Sequence, residues 1–148
     1  MNTKLIFINE KEVKLNKMTI IRRKGVVIVD TSKGILVVAG RSKRFILPGG
    51  GAEKLESRKK AAIRELYEET GLKTKSISYL FRYVGGKWPT YKKELVRNHT
   101  KVFLVKTKGI PKPRHEIKYI AYWKPENDIN ITKGTKLIIE KYVNKYKK

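Results

Sequence analysis

The chain has no cysteine among its 148 residues, which removes disulfides, thiolate catalysis and thiolate-ligated zinc together. Any metal is then held by oxygen or imidazole. Long apolar runs are missing too. None approaches the roughly 20 residues needed to span a bilayer, and the early stretch Leu5-Ile6-Phe7-Ile8 is too short for a signal peptide. That stretch is expected to be a β-strand of a cytoplasmic protein with no membrane partner. There is no internal repeat or low-complexity linker, so residues 1–148 read as one domain around one core. Acidic residues are scarce, 13 against 36 Lys and Arg, for a formal net charge of +23. A field of that sign draws nucleotides, nucleic acids, polyphosphate and acidic membranes to a protein surface. A lysine-biased genome or a thermophilic surface gives the same count, so charge alone assigns no function.

The 40% hydrophobic content is that of a folded protein. Apolar runs at Leu5–Ile8, Met18–Ile21, Val26–Val29 and Ile35–Val38 read as short strands, with Lys24-Gly25 and Ser32-Lys33-Gly34 as breaks. From Ser57 to Thr70 the period becomes helical through Ala61, Ala62, Leu66, Ile63 and Tyr67, with Ser57 as N-cap and Gly71 as C-cap glycine. Strands follow at Ser76–Val84 and Glu94–Lys106, separated by a loop with Gly85, Gly86, Trp88 and Pro89. Ile117–Trp123 is a further strand, and Thr135–Tyr146 a closing helix with Ile138, Ile139, Tyr142 and Val143 on its inner side. This order predicts an α/β fold, a mixed sheet covered by helices on both faces.

Five glutamates lie within the seventeen residues from Glu53 to Glu69. Glu65, Glu68 and Glu69, at i, i+3 and i+4, share neighbouring positions on one helical face, where like charges repel by a few tenths of a kcal/mol. A solvated acidic face has the same spacing. Their concentration in a basic chain, directly after Gly49-Gly50-Gly51, points instead to a site. Clustered carboxylates suit a hard divalent cation, Mg²⁺ with Mn²⁺ as its substitute, which takes substrate phosphates as further ligands. Glycines let the backbone approach such an ion and turn a carbonyl toward it. A P-loop is set aside because the Gly-Lys-Ser/Thr ending is missing.

Gly50, Glu56, Arg64, Glu65, Leu66, Glu68, Glu69, Gly71 and Leu72 stand at every specified position of the Nudix box, over residues 50–72. Seven such residue types in register arise by chance about once in 10⁸ trials, and the chain is identified on them as resembling the MutT-like Nudix hydrolases. The resemblance implies an α/β/α sandwich with the box at the active site. It implies a metal set of the Gly50 carbonyl, Glu65, Glu68 and Glu69, with Glu56 as a further or water-mediated ligand. Arg64 is implied to orient the glutamates, and either Glu65 or Glu69 to act as general base. Leu66, Ala62 and Leu72 are packing residues. The implied reaction is attack of water on the diphosphate of a nucleoside diphosphate linked to another moiety.

Outside the box the signals are weaker. Glu116 is a candidate additional base or ligand, or a surface glutamate beside His115. Arg41, Lys43 and Arg44 precede the glycines and either bind substrate phosphates or are solvated. Trp88, with Tyr83 and Tyr91, either stacks on a base or packs in the core. His99 reads as structural, and Lys141 to Lys148 as a solvated helix end. Three functions follow: hydrolysis of a phosphorylated small molecule, such as a nucleoside triphosphate, nucleotide sugar or dinucleoside polyphosphate; the same chemistry on RNA 5′ ends; or a non-catalytic binding module. Inositol polyphosphates remain a further substrate class, and the protein is expected to be a monomer or homodimer.

Overall fold

The computed structural model describes residues 19–147. The expected strand Leu5–Ile8 and residues Met18 and Lys148 lie outside them. The elements are β1 (Thr19–Ile28), β2 (Asp30–Thr31), β3 (Gly34–Ala39), β4 (Gly49–Gly51), α1 (Arg58–Thr70), β5 (Lys73–Val84), β6 (Trp88–Pro89), β7 (Leu95–Lys108), β8 (Tyr119–Trp123) and α2 (Lys133–Lys145). A mixed five-stranded sheet runs β4-β1-β7-β5 with β6 also on β7. In it β1 and β7 are parallel and the remaining pairs antiparallel. An antiparallel three-stranded sheet runs β2-β3-β8.

Strand alternation sorts the apolar residues into two cores. From β1, Val27 joins Ala62 and Leu66 of α1, as does Val29 just after the strand, while Val26 and Ile28 join Ile138, Ile139 and Tyr142 of α2. The result is helix, sheet and helix in layers. Leu66, fully buried, contributes about 2 kcal/mol of apolar burial. Both helix ends of α1 form as expected, with Ser57 Oγ accepting from Lys60 N–H at 3.0 Å and Gly71 in the left-handed region at φ 76°.

Several local expectations change. Lys24-Gly25 does not interrupt the chain but lies within the ten-residue β1. Gly25 is there for close approach, because a Cβ on it would lie 2.0 Å from the carbonyl oxygen of Arg58. Trp88 and Pro89 pair with β7 as a short strand, since Val96 and Leu95 offer the free edge. The strand expected from Ile117 begins at Tyr119. The closing helix begins at Lys133, because Thr132 caps it by accepting from Thr135 N–H at 3.3 Å. Val143, expected inside, is exposed. Of the four residues expected there, Ile138, Ile139 and Tyr142 join the core, and the Tyr142 hydroxyl donates to Asp30 Oδ2 at 2.8 Å.

Candidate metal centre

The box glycines pair with β1 in antiparallel register, Gly50 opposite Gly25 and Gly49 opposite Val26, which lays the loop beneath α1. There is no room for side chains at this contact. A Cβ on Gly50 would lie 2.7 Å from the carboxyl carbon of Glu65, and one on Gly49 2.3 Å from the Gly25 carbonyl oxygen. Gly49 N–H donates to Glu69 Oε1 at 2.9 Å. Glycine thus lets two glutamates of the helix press against loop backbone.

Arg64 organises the opposite side. Its Nε and Nη2 each donate to Glu56 at 2.9 Å, a bidentate pair; Nη1 donates to Glu65 Oε1 at 2.9 Å and Glu68 Oε2 at 3.3 Å; Nη2 also reaches the Gly51 carbonyl at 3.2 Å. Such fork-like ion pairs fix geometry as well as charge. Hydrogen bonding from Arg64, then from the Glu53 backbone, holds the Glu56 carboxyl down at about 2.

Glu65, Glu69 and Glu116 each bring a carboxylate oxygen within 4.8 Å of the others. Glu116 is carried there by the segment between β7 and β8, which is fastened to the end of α1. Lys112 N–H donates to the Thr70 carbonyl at 2.9 Å, Arg114 N–H to the Glu69 carbonyl at 3.1 Å and the Arg114 guanidinium to the Tyr67 carbonyl at 3.0 Å. The Glu69 and Thr70 carbonyls are among those a helix end leaves without partners, while that of Tyr67 also accepts from Gly71 N–H at 2.7 Å. Burial, then Glu65 and Glu116, pushes the Glu69 carboxyl up to about 8 against the opposing Gly49 N–H and Lys24. Burial likewise raises Glu65, with Arg64 opposing. An all-oxygen set of converging carboxylates fits a hard divalent cation, whose charge would relieve this repulsion.

Glu56 and Glu68 stand outside that trio, Glu56 locked to Arg64 and Glu68 with 45% of its side chain exposed. Gly50 lies directly against Glu65. Arg41 and Arg44 are in an exposed segment after β3 and are not among the residues lining the neighbouring cleft, and Lys43 lies over the Tyr119 ring. His99 is half-buried on β7, its carbonyl accepting from Arg58 Nη1 at 3.4 Å.

That cleft, about 540 Å³, runs from Lys24 and Gly49 past Tyr83, Trp88 and Asn98 to the start of α2. Tyr91 is 91% exposed and lies outside its lining. Lys24 and Asn98 escaped the sequence reading. Two-residue alternation from Val26 was the signal for Lys24, obscured by taking Lys24-Gly25 as a turn. Nothing local marks Asn98.

A sequence model described as the NUDIX domain matches residues 20–142. The chain belongs to the Nudix hydrolase family. Among curated relatives of this Nudix protein, a provisionally named 8-oxo-dGTP diphosphatase of Bacillus subtilis (strain 168) is 40% identical over 48 residues. That match spans 32% of this chain and 30% of the relative. A solved structure of a provisionally assigned Nudix hydrolase family member from Chromobacterium violaceum is 35% identical, with a TM-score of 0.71, covering 84% of this chain and 77% of that one. The MutT protein of Bacillus halodurans, at 20% identity and TM-score 0.67 over 80% of each chain, shares the fold.

Proposed function

We propose that this Nudix protein is a Mg²⁺-dependent pyrophosphohydrolase of nucleoside triphosphates, cleaving the bond between phosphoryl groups by attack of water. The observation that carries this reading is that Gly49, whose N–H holds Glu69, and Lys24, on which the charges of Glu69 and Glu65 act, also wall a cleft of about 540 Å³, large enough for a nucleoside. The name of the Bacillus subtilis relative favours a purine triphosphate within this class.

Glu65, Glu69 and Glu116 would hold the cation, and Arg64 keeps Glu65 in place. When bound, Mg²⁺ supplies neutralisation of the phosphate charge and acidification of a coordinated water. Lys24 presents an ammonium where the phosphate chain meets the glutamates, whose charges also act on it. Glu65 or Glu69 accepts the proton of the attacking water. Water adds across one P–O–P linkage, leaving a nucleoside monophosphate and pyrophosphate.

Mass spectrometry of products formed with Mg²⁺ from nucleoside triphosphates, nucleotide sugars, dinucleoside polyphosphates and 5′-triphosphorylated RNA tests this. Monophosphate and pyrophosphate from a triphosphate are expected. Turnover of another class alone replaces the substrate, and silence throughout overturns the enzymatic reading.

Asn98 lines the cleft, and its buried Oδ1 has no hydrogen-bond partner among the described residues, an acceptor that a turn of the side chain would offer to a base N–H. Asn98→Ala is expected to raise KM about tenfold with kcat within threefold, the loss of roughly one buried hydrogen bond. An unchanged KM removes Asn98 from base recognition.

A further inference from the structure

Beyond Gly25, β1 and its neighbours run on past the start of α1, leaving part of that sheet face without a helix over it among the described residues. The packing of Val27 and Phe103 against α1 fixes which alternate residues share the face. They include Arg23 of β1, Arg97 and Lys101 of β7, and Tyr79 and Arg82 of β5. Arg82 stands opposite Lys101, and Tyr79 meets Phe103 edge-on at 5.9 Å. Tyr79 is 52% exposed, and the Lys101 ammonium lies 5.7 Å from its ring centre. Arg58, at the start of α1, reaches over the same region to the His99 carbonyl. Its pKa is lowered, first by burial and then by Arg23 and Arg82.

None of the strand residues sharing this uncovered face, among those described, is acidic. Five cations and an exposed ring are gathered here, none of the five in an ion pair with a carboxylate among the described residues, although Arg23 also donates to the Glu56 carbonyl at 3.2 Å, and Arg97 keeps a buried Nε without a hydrogen-bond partner among them. Like charges held together on a rigid sheet are unfavourable until a polyanion covers them. We propose that this face of β1, β7 and β5 is a docking surface for single-stranded nucleic acid. The cations meet successive phosphates, and Tyr79 supplies a stacking platform for a base. A second copy of the chain is a poor occupant, because its net charge of +23 repels. The surface is separate from the carboxylate trio, and the inference stands whether or not a triphosphate is hydrolysed.

The test is fluorescence anisotropy with a labelled single-stranded RNA 12-mer and its DNA counterpart, both ending in 5′-hydroxyl so that no phosphate chain is offered to the glutamates. Titrations run at several salt concentrations. Arg82→Glu/Lys101→Glu is expected to weaken binding at least about tenfold and to make the log–log salt dependence shallower by roughly two. Lys136→Glu/Lys145→Glu, the same charge change on exposed positions of α2, is expected to weaken it less than about threefold. Tyr79→Leu, which keeps an apolar contact to Phe103, is expected to lose about fivefold or more through stacking. Equal losses in the two charge-reversed proteins overturn the proposal, as does binding by Arg82→Glu/Lys101→Glu at wild-type strength. Capture of phosphatidylserine vesicles through Arg82 and Lys101, with neither oligonucleotide bound, assigns the face to membranes. Earlier melting of Arg82→Glu/Lys101→Glu with unaltered oligonucleotide binding makes it an internal packing surface.

Discussion

Glu69→Gln is expected to lower turnover about 10³-fold while raising the melting temperature of the metal-free protein at pH 8. Both effects follow from the position of the carboxylate. Glu69 is 4% exposed, accepts from Gly49 N–H and faces Glu65 and Glu116. Glutamine keeps the Gly49 hydrogen bond but removes the charge needed by a cation or an attacking water. In wild type, burial and the neighbouring glutamates raise the carboxyl from 4.5 to about 8. The native state then holds more protons than the unfolded chain between those values, so metal-free stability falls as pH rises from 4.5 through 8, by an upper limit of about 5 kcal/mol. Glu69→Gln stays neutral throughout and flattens that slope. Thermal unfolding in EDTA across pH 5 to 8.5 measures it, and Mg²⁺ is expected to restore stability at pH 8 to wild type more than to the variant. A variant with wild-type turnover would falsify the role of Glu69, and an unaltered pH slope would remove the buried charge as its cause.

Gly25→Ala is expected to cost at least about 3 kcal/mol, or roughly 10 °C in melting temperature. The added methyl would meet the Arg58 carbonyl oxygen at 2.0 Å, the Arg58 carbonyl carbon at 2.9 Å and Ala62 Cβ at 3.1 Å. Backbone on both sides cannot swing away like a flexible side chain. Relief requires α1 to lift from β1, opening the core around Ala62 and Leu66 and carrying Glu65 and Glu69 off the glycine loop. Activity should therefore fall even at temperatures where the variant is folded. Gly86→Ala is the matched control, since its added Cβ has no atom of the described residues within 4 Å, and its melting temperature should stay within about 2 °C of wild type. Equal melting of wild type and Gly25→Ala would show that the helix slides without loss.

What could be read before folding was what local spacing encodes. α1 carries its own start at Ser57, its stop at Gly71 and its buried stripe through Ala62 and Leu66, so helix, caps and the register of its glutamates were legible together. Glu116 was visible only as a candidate. Its place beside Glu65 and Glu69 depends on hydrogen bonds from Lys112 and Arg114 to the far end of α1, and no periodicity reports such a contact. Gly25 was misread for a related reason. Glycine at a turn and glycine beneath a crossing helix look alike until the helix is in place. Asn98 belongs to a cleft assembled from β1, β5, β7 and α2, whose lining has no sequence neighbourhood to betray it.

The strap from Lys112 to Arg114 divides the carboxylate trio into parts of unlike origin. Glu65 and Glu69 are inseparable from the helix, because their spacing is the helical repeat and the loop glycines are cut to fit them. Glu116 arrives on a connection fastened by three carbonyls of α1, by Lys118 N–H on the Ala39 carbonyl and by the buried Ile117. The cluster thus joins a half set by the helical repeat to a half set by how a connection between two strands is fastened.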